Sequence, residues 1–266
     1  MKHAKLIGVG VFTLILAVGC ADVESGDVLT SGMWANIHVE ADGGGTSQVA
    51  AVLKVGGADS NTYVELTGDL AFGRQMYPRI RAGIEEALGK IGDRGLLEWD
   101  GVWHFVEWGH GRDDGHAICG VEQVGLAGAL EAAVRIANLL GETDATAWNE
   151  ARTALVNAIN RELWDESRGA YADSLHADGA LSPVSSQTTN AMMGIYGVAD
   201  NARAEALAQR IVDNEPALLA YGSPYGLYYV LELFDRFEMV EPLVQAVGAL
   251  FAAVGLDFAG GVCGPR

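Results

Sequence analysis

Residues 121–141, VEQVGLAGALEAAVRIANLLG, decide the fold class of this chain. The stretch is rich in alanine and other helix-forming residues, and it ends at Gly141, a residue type that commonly terminates a helix. Segments of similar length with helical spacing stand on both sides of it. The sequence therefore predicts a mainly α-helical protein.

The helical pattern begins at Thr67 and recurs along most of the chain. The first predicted helix has Thr67 or Asp69 as its N-cap, because short polar side chains there accept hydrogen bonds from the first free N–H groups. Its apolar residues recur at steps of three to four: Phe72, Met76, Ile80, Ile84, Leu88 and Ile91. A helix over 144–164 would bury Ala147, Ala151, Leu155, Ile159 and Leu163. Further helices are predicted near 185–197, 202–213, 225–237 and 240–254.

Connections between these helices alternate in length. Short turns alternate with long, aromatic-rich segments, which favours stacked helical hairpins. In such arrays the functional groups occupy the long connections at one end of the helices. We therefore look for a site in those connections.

The connection over 99–123, WDGVWHFVEWGHGRDDGHAICGVEQ, has the composition of a sugar site. Tryptophan faces pack on the C–H faces of a pyranose, and carboxylates accept hydroxyl hydrogen bonds or move protons. Glu107 lies between Trp103 and Trp108, and apolar neighbours raise the pKa of a carboxyl, as a general acid requires. The alternative is that these aromatic residues fill the core and the acids are solvated, and the sequence leaves both readings open.

Charge excludes one class of partner. Of 266 residues, 35 are acidic and 17 are basic, which gives a formal net charge of −18. Nucleic acid would be repelled. Half of the residues are hydrophobic, so the chain is long and apolar enough for one sizeable domain or two small ones.

Metal and cofactor sites are not predicted. His104, His110 and His116 recur every six residues, which fits no common set of metal ligands. Cys119 and Cys263 show no metal spacing, and the sequence leaves open whether they pair or remain as two buried thiols.

Residues 1–20 have the pattern of an export signal: a positive start followed by an uncharged run. Its end, Leu16-Ala17-Val18-Gly19-Cys20, resembles a bacterial lipobox. The resemblance implies cleavage before Cys20 and acylation of that residue, which would anchor an exported lipoprotein on a membrane, periplasmic or at the outer surface. An ordinary secretory signal is the alternative.

Three further segments complete the predicted domain organisation. Residues 21–32 form a tether. Residues 33–66 alternate between apolar and polar residues in three short runs separated by glycine-rich turns, which predicts a small antiparallel β meander. Residues 255–266 form an irregular tail after the helical domain, which spans 67–254.

Several motifs of the helical part resemble the six-hairpin catalytic domain of bacterial α-L-rhamnosidases. They occur in that family's order and cover about residues 67–250. The motifs are Thr67–Leu70, Met76–Pro78, Asp93–Leu97, Trp103–Gly109, Leu163–Glu166, Gly169–Ser174, Ser186–Thr188 and Gly222–Tyr225.

This resemblance implies an (α/α)6 toroid, in which twelve helices form two rings around a sugar funnel. It also implies exo-cleavage of terminal α-L-rhamnose with inversion, by an acid and a base separated by about 6.5–9.5 Å. The partner would be a rhamnose-containing glycan or another sugar. The residues expected to bind it are Trp103, His104, Trp108, His110 and Tyr225.

The chain also departs from that family. The acid-rich run that carries the family's proton donor has no counterpart before Thr67, and the tail from Gly255 holds no glutamate to serve as base. About seven helices are predicted where the toroid has twelve. We therefore expect a truncated, partial toroid that lacks the family's acid and base.

Two functions follow from these observations. In the first, the chain is an active glycosidase with a rearranged pair, Glu107 as the acid and Asp113 or Asp114 as the base. In the second, it is a non-catalytic, membrane-anchored lipoprotein that binds carbohydrate or serves a structural role. Helix faces left uncovered by the missing hairpins would favour self-association.

Overall fold

The computed structural model describes residue 64, residues 67–98 and residues 117–253. These ranges are mostly helical, which confirms the predicted fold class. The helices are α1 Leu70–Leu88, α2 Gly120–Leu140, α3 Ala145–Glu162, α4 Gln187–Ile195, α5 Asn201–Val212, α6 Pro224–Arg236 and α7 Val240–Ala253. The short strands are β1 Ile118–Cys119, β2 Trp164–Asp165, β3 Ala170–Tyr171 and β4 Ser174–Leu175.

Consecutive helices pack as antiparallel hairpins arranged in two layers. Helices α2, α4 and α6 contact one another in turn, and α1, α3, α5 and α7 pack against them. Helix α2 is buried around most of its circumference and α4 buries all but its last residue, so both belong to an inner layer. Helices α1, α3 and α5 bury one face only, as outer helices do. The architecture is therefore part of a two-ring toroid.

Helix ends form where the sequence provides capping residues. Asp69 caps α1 by accepting a hydrogen bond from the Phe72 N–H at 3.0 Å. Gly141 ends α2 in the left-handed conformation at φ 75°, which costs glycine little. Ser223 caps α6, and Pro224 occupies the first turn, where its missing N–H has no intrahelical partner to lose.

The buried face of α3 matches the prediction at Leu155, Ile159 and Leu163 but differs at its start. Ala147 is exposed, and the neighbouring Trp148 is buried instead. The Trp148 ring lies 5.8 Å from the ring of Tyr77 in α1. A large aromatic ring removes more apolar surface from water than a methyl group does, so Trp148 takes the inward position in the first turn.

Several predicted segments lie outside the described residues: the signal with Cys20, the tether, most of the β meander, the tail and Cys263. Val64, placed in the third predicted strand, has helical backbone here. Cys119 is buried at the start of α2. Among the described helices, none combines the length and hydropathy that crossing a membrane requires. Helix α7 exposes Val240 and Val244, and self-association through such faces stays a prediction.

Three long connections span residues 89–119, 163–186 and 213–223. Their described residues meet at one end of the helices, which we call the long-connection end. Strand β1 of the first pairs with β4 of the second. The Gly120 N–H donates to the Asp173 carbonyl at 2.7 Å. The third connection joins through Leu219, whose N–H donates to the Ser185 carbonyl and whose carbonyl accepts from the Gln187 N–H, both at 2.8 Å. The short turns lie at the opposite end, as predicted.

Close packing of α2 gives a test of this arrangement. A Cβ atom at Gly128 would lie 2.6 Å from Cδ1 of Tyr196. Gly128→Ala is therefore expected to lower the free energy of unfolding by about 1–3 kcal/mol, through overpacking. Gly125→Ala is the matched control in the same helix, because its Cβ would meet no described atom within 4 Å.

The control should stabilise by about 0.5–1 kcal/mol, the usual gain of alanine over glycine in a helix. Urea unfolding of both variants measures the difference. Equal changes in the free energy of unfolding would contradict the contact between α2 and Tyr196.

Candidate functional site

Buried polar side chains gather at the long-connection end. Within the described ranges, all the buried polar or charged residues lie in the first turn of α2, in β4 and the residue before it, or between 182 and 190. They are Glu122, Gln123, Asp173, Ser174, Ser182, Ser185, Ser186, Gln187, Thr188, Thr189 and Asn190. Burial of a polar group is unfavourable unless hydrogen bonds replace its water. The buried polar groups at this end must therefore have a structural or a functional role.

Two buried amide side chains fix the long connections, and we call them the amide clamps. Gln123 accepts from the Leu97 N–H at 2.8 Å and donates to the Leu97 carbonyl at 3.1 Å. Asn190 accepts from the Tyr171 N–H at 2.9 Å and donates to the Tyr171 carbonyl at 3.1 Å. Each clamp is the fourth residue of its helix and holds the connection that precedes that helix. The two hairpins thus repeat one device.

A buried carboxylate joins the second connection to the start of α4. Oδ1 of Asp173 accepts from the Ser186 N–H at 2.8 Å and lies 2.9 Å from the Ser186 hydroxyl. Ser186 is the N-cap of α4, where a negative charge also meets the positive end of the helix dipole. Oδ2 of Asp173 is buried without a hydrogen-bond partner among the described residues, as are the hydroxyls of Ser174 and Ser185. These three buried groups could each form a further hydrogen bond.

Most sequence-predicted site residues lie outside the described residues. These are Trp103, His104, Glu107, Trp108, His110, Asp113 and Asp114, all within 99–116. The described residues on either side of that segment are both held at the long-connection end, Leu97 by the Gln123 clamp and Ile118 by the pairing of β1 with β4.

Tyr225 is the predicted site residue that the structure describes. It lies in the first turn of α6, at the long-connection end, and is 42% exposed. Its ring meets that of Tyr229 at 5.2 Å between centroids, and the Tyr229 hydroxyl donates to the Tyr225 hydroxyl at 3.0 Å. Tyr228 meets Tyr229 at 5.1 Å. These ring contacts hold Tyr225 in place.

The amide clamps and Asp173 were not predicted as site residues. Gln187 begins α4, and the Asn190 amide bonds to Tyr171 and to the Ser186 carbonyl. The sequence did contain a signal for the clamps: each is an amide in the first turn of an apolar helix. An unpaired amide would be costly there, so it indicates a buried partner.

Metal binding finds no support in the part of the chain that the structure describes. No group of three or more histidine, cysteine, aspartate or glutamate side chains is placed to hold an ion there.

The Gln123 clamp can be tested by substitution. Gln123→Leu leaves the buried N–H and carbonyl of Leu97 without partners, so we expect a loss of about 2–3 kcal/mol in the free energy of unfolding. Gln209→Leu is the control, because the Gln209 amide bonds to Asp213 on the exposed side of α5 and should matter by less than about 0.5 kcal/mol. Amide hydrogen exchange at Leu97 should accelerate only in Gln123→Leu. Unchanged exchange there would contradict the clamp.

Glu232 gives α6 a pH-dependent contribution to stability. Burial, followed by the charge of Asp235, raises the pKa of the Glu232 carboxyl above its ordinary value. The folded state therefore holds this proton more tightly than the unfolded state. The contribution is fully present below the unfolded pKa of about 4.3 and is lost as the pH rises through the raised folded pKa.

Glu232→Gln is uncharged at every pH, so it should be more stable than the wild type at pH 7. That advantage should shrink below about pH 4, where wild-type Glu232 is itself protonated. Glu205→Gln, exposed in the middle of α5, is the matched control. Thermal unfolding at both pH values measures it, and a pH-independent difference would count against the raised pKa.

The family model of the bacterial alpha-L-rhamnosidase 6 hairpin glycosidase domain matches residues 58–215. No functionally curated protein matches the chain.

Solved structures similar to the chain include two rhamnosidases. The GH78 family rhamnosidase of Bacillus sp. GL1 has a TM-score of 0.70 and 26% sequence identity, over 75% of this chain and 21% of that one. The rhamnosidase from Klebsiella oxytoca with rhamnose bound has a TM-score of 0.65 and 18% identity, over 79% of this chain and 38% of that one. The chain thus spans well under half the length of either protein.

Proposed function

The chain belongs to the bacterial α-L-rhamnosidase six-hairpin glycosidase family, and from this premise we propose that it binds rhamnose or a related sugar at the long-connection end. One observation carries the proposal. The buried polar residues of the described ranges gather where the three long connections meet, and an exposed tyrosine, Tyr225, lies at the same end. Aromatic faces and fixed polar groups are what a pyranose requires.

Sugar binding also agrees with what the similar structures contain. The Klebsiella oxytoca rhamnosidase has rhamnose bound, and the Bacillus protein is a rhamnosidase. In our proposal, Trp103 and Trp108 pack against the sugar ring, and His104 and His110 bond its hydroxyl groups. Tyr225 contributes from α6.

Hydrolysis with inversion is the first candidate activity. Glu107 would protonate the glycosidic oxygen as the bond to the anomeric carbon breaks. Asp113 or Asp114 would take a proton from water as that water attacks the anomeric carbon from the opposite face. The product would be free L-rhamnose of inverted configuration.

Sugar binding without hydrolysis is the second candidate. Residues 1–66 and 255–266 hold no counterpart of the acid-rich run or of the glutamate that the family resemblance leads us to expect. A protein without that pair would keep the aromatic and polar groups that hold a sugar.

Calorimetry and an activity assay separate these candidates. Titration with L-rhamnose should release or absorb heat in the wild type, and Trp103→Ala should abolish it. If the chain hydrolyses an aryl α-L-rhamnoside, Glu107→Gln should lower kcat at least about a hundredfold, because it cannot donate the proton. Glu150→Gln, an exposed acid of α3, is the control for both measurements.

Heat without turnover selects the non-catalytic function. Turnover that depends on Glu107 selects the hydrolase. A wild type that binds no rhamnose would contradict the proposal.

A further inference from the structure

One stripe of α6 carries two tyrosines and a glutamate. Tyr225, Tyr228 and Glu232 are spaced at i, i+3 and i+7, so they share a side of the helix. Tyr225 is exposed, and Tyr228 and Glu232 are half-buried. The residues of α6 that pack against α4 lie on the neighbouring side: a Cβ at Gly194 of α4 would lie 2.6 Å from Leu233 Cδ1. The stripe thus borders the contact with α4 and stays partly open.

Groups from the other two inner helices lie close to this stripe. The ring of Tyr196, which follows α4, packs on Gly128 of α2. Burial raises the pKa of Tyr196, and the neighbouring Tyr228, Tyr225, Glu232 and Glu131 raise it further. Because electrostatic interactions weaken with distance, these groups share one neighbourhood.

An ion pair and a hydrogen bond from Arg152 fix Glu131 and the backbone of Tyr196. Arg152 of α3 donates to the Tyr196 carbonyl at 2.7 Å and to Glu131 of α2 at 2.9 Å. The contacts of Tyr229 with Tyr225 and Tyr228 hold both rings. Groups that are fixed before a ligand arrives lose little conformational entropy when they bind it.

The chemistry of this face suits a neutral pyranose. Tyrosine rings pack on sugar C–H groups, and phenol and carboxyl groups exchange hydrogen bonds with sugar hydroxyls. A net charge of −18 would repel an anionic sugar. Tyr225 lies at the long-connection end and Glu232 lies two turns further along α6, so the stripe leads inward from that end.

We propose that Tyr225, Tyr228 and Glu232 form a sugar-binding wall on α6, in which the tyrosine rings pack on a neutral pyranose and Glu232 bonds its hydroxyls. The wall rests on the proposed function and deepens it, because it is built from an inner helix and not from residues 99–116. It also explains why a half-buried glutamate stands on α6, where its burial opposes ionisation.

Calorimetric titration of the full chain with L-rhamnose, D-galactose and D-glucuronate tests the wall. Tyr225→Ala and Glu232→Gln should each weaken the binding of the neutral sugar about tenfold or more. Tyr225→Phe keeps the ring and should stay within about threefold of the wild type, and Glu205→Gln should match the wild type. D-glucuronate should not bind.

Glu232→Gln separates binding from folding, since we expect it to be more stable at pH 7 and yet weaker in affinity. A variant that loses affinity only because it unfolds would show a lower melting temperature. Thermal unfolding of each variant provides that measurement.

The outcomes also distinguish this wall from the function on which it rests. If Trp103→Ala abolishes rhamnose binding while the α6 variants bind like the wild type, the wall is wrong and the proposed function stands. If only D-galactose binds and the α6 variants lose it, the wall stands and rhamnose is the wrong sugar. If no neutral sugar binds the wild type, both are overturned.

Discussion

Burial of the inner helices creates the constraint on which the rest of the structure depends. A chain segment that crosses the end of such a helix loses water, so its N–H and carbonyl groups need partners. The strands among the long connections are only two residues long and cannot supply them all. Gln123 and Asn190 meet this need, because a primary amide can pair with both groups of one peptide residue. The hydrogen bonds of Gln123 with Leu97 and of Asn190 with Tyr171 therefore fix two of the long connections that form the candidate site.

Periodicity alone predicts the helices well. The seven described helices begin and end within a few residues of the predicted bounds, since capping residues such as Asp69 and Gly141 act locally. The side chain that turns inward at the start of a helix is harder to predict, because it depends on partners in other helices. Ala147 and Trp148 are adjacent, and Trp148, whose ring meets that of Tyr77, is the buried one.

Some residues of the candidate site could likewise be predicted from the sequence, and others could not. Composition singled out the aromatic, acidic segment that contains Glu107, and the order of motifs indicated the family. The partners of Gln123 and Asn190 lie 26 and 19 residues away, and no spacing in the sequence connects them. Among the tyrosines of α6, Tyr225 is exposed and Tyr229 is buried. The exposure of Tyr225 became evident only from the fold.

Hairpins made of consecutive helices also bear on how the chain acquires its structure. The pairs α2–α3, α4–α5 and α6–α7 each pack across a short turn, and such local contacts are associated with rapid folding. Leu97 precedes Gln123 and Tyr171 precedes Asn190, so both peptide partners leave the ribosome before the amide that secures them. The earlier hairpins can therefore assemble while α6 and α7 are still being translated. Because translation proceeds from the amino terminus, the hairpin of α6 and α7 would be the last of the described hairpins to pack.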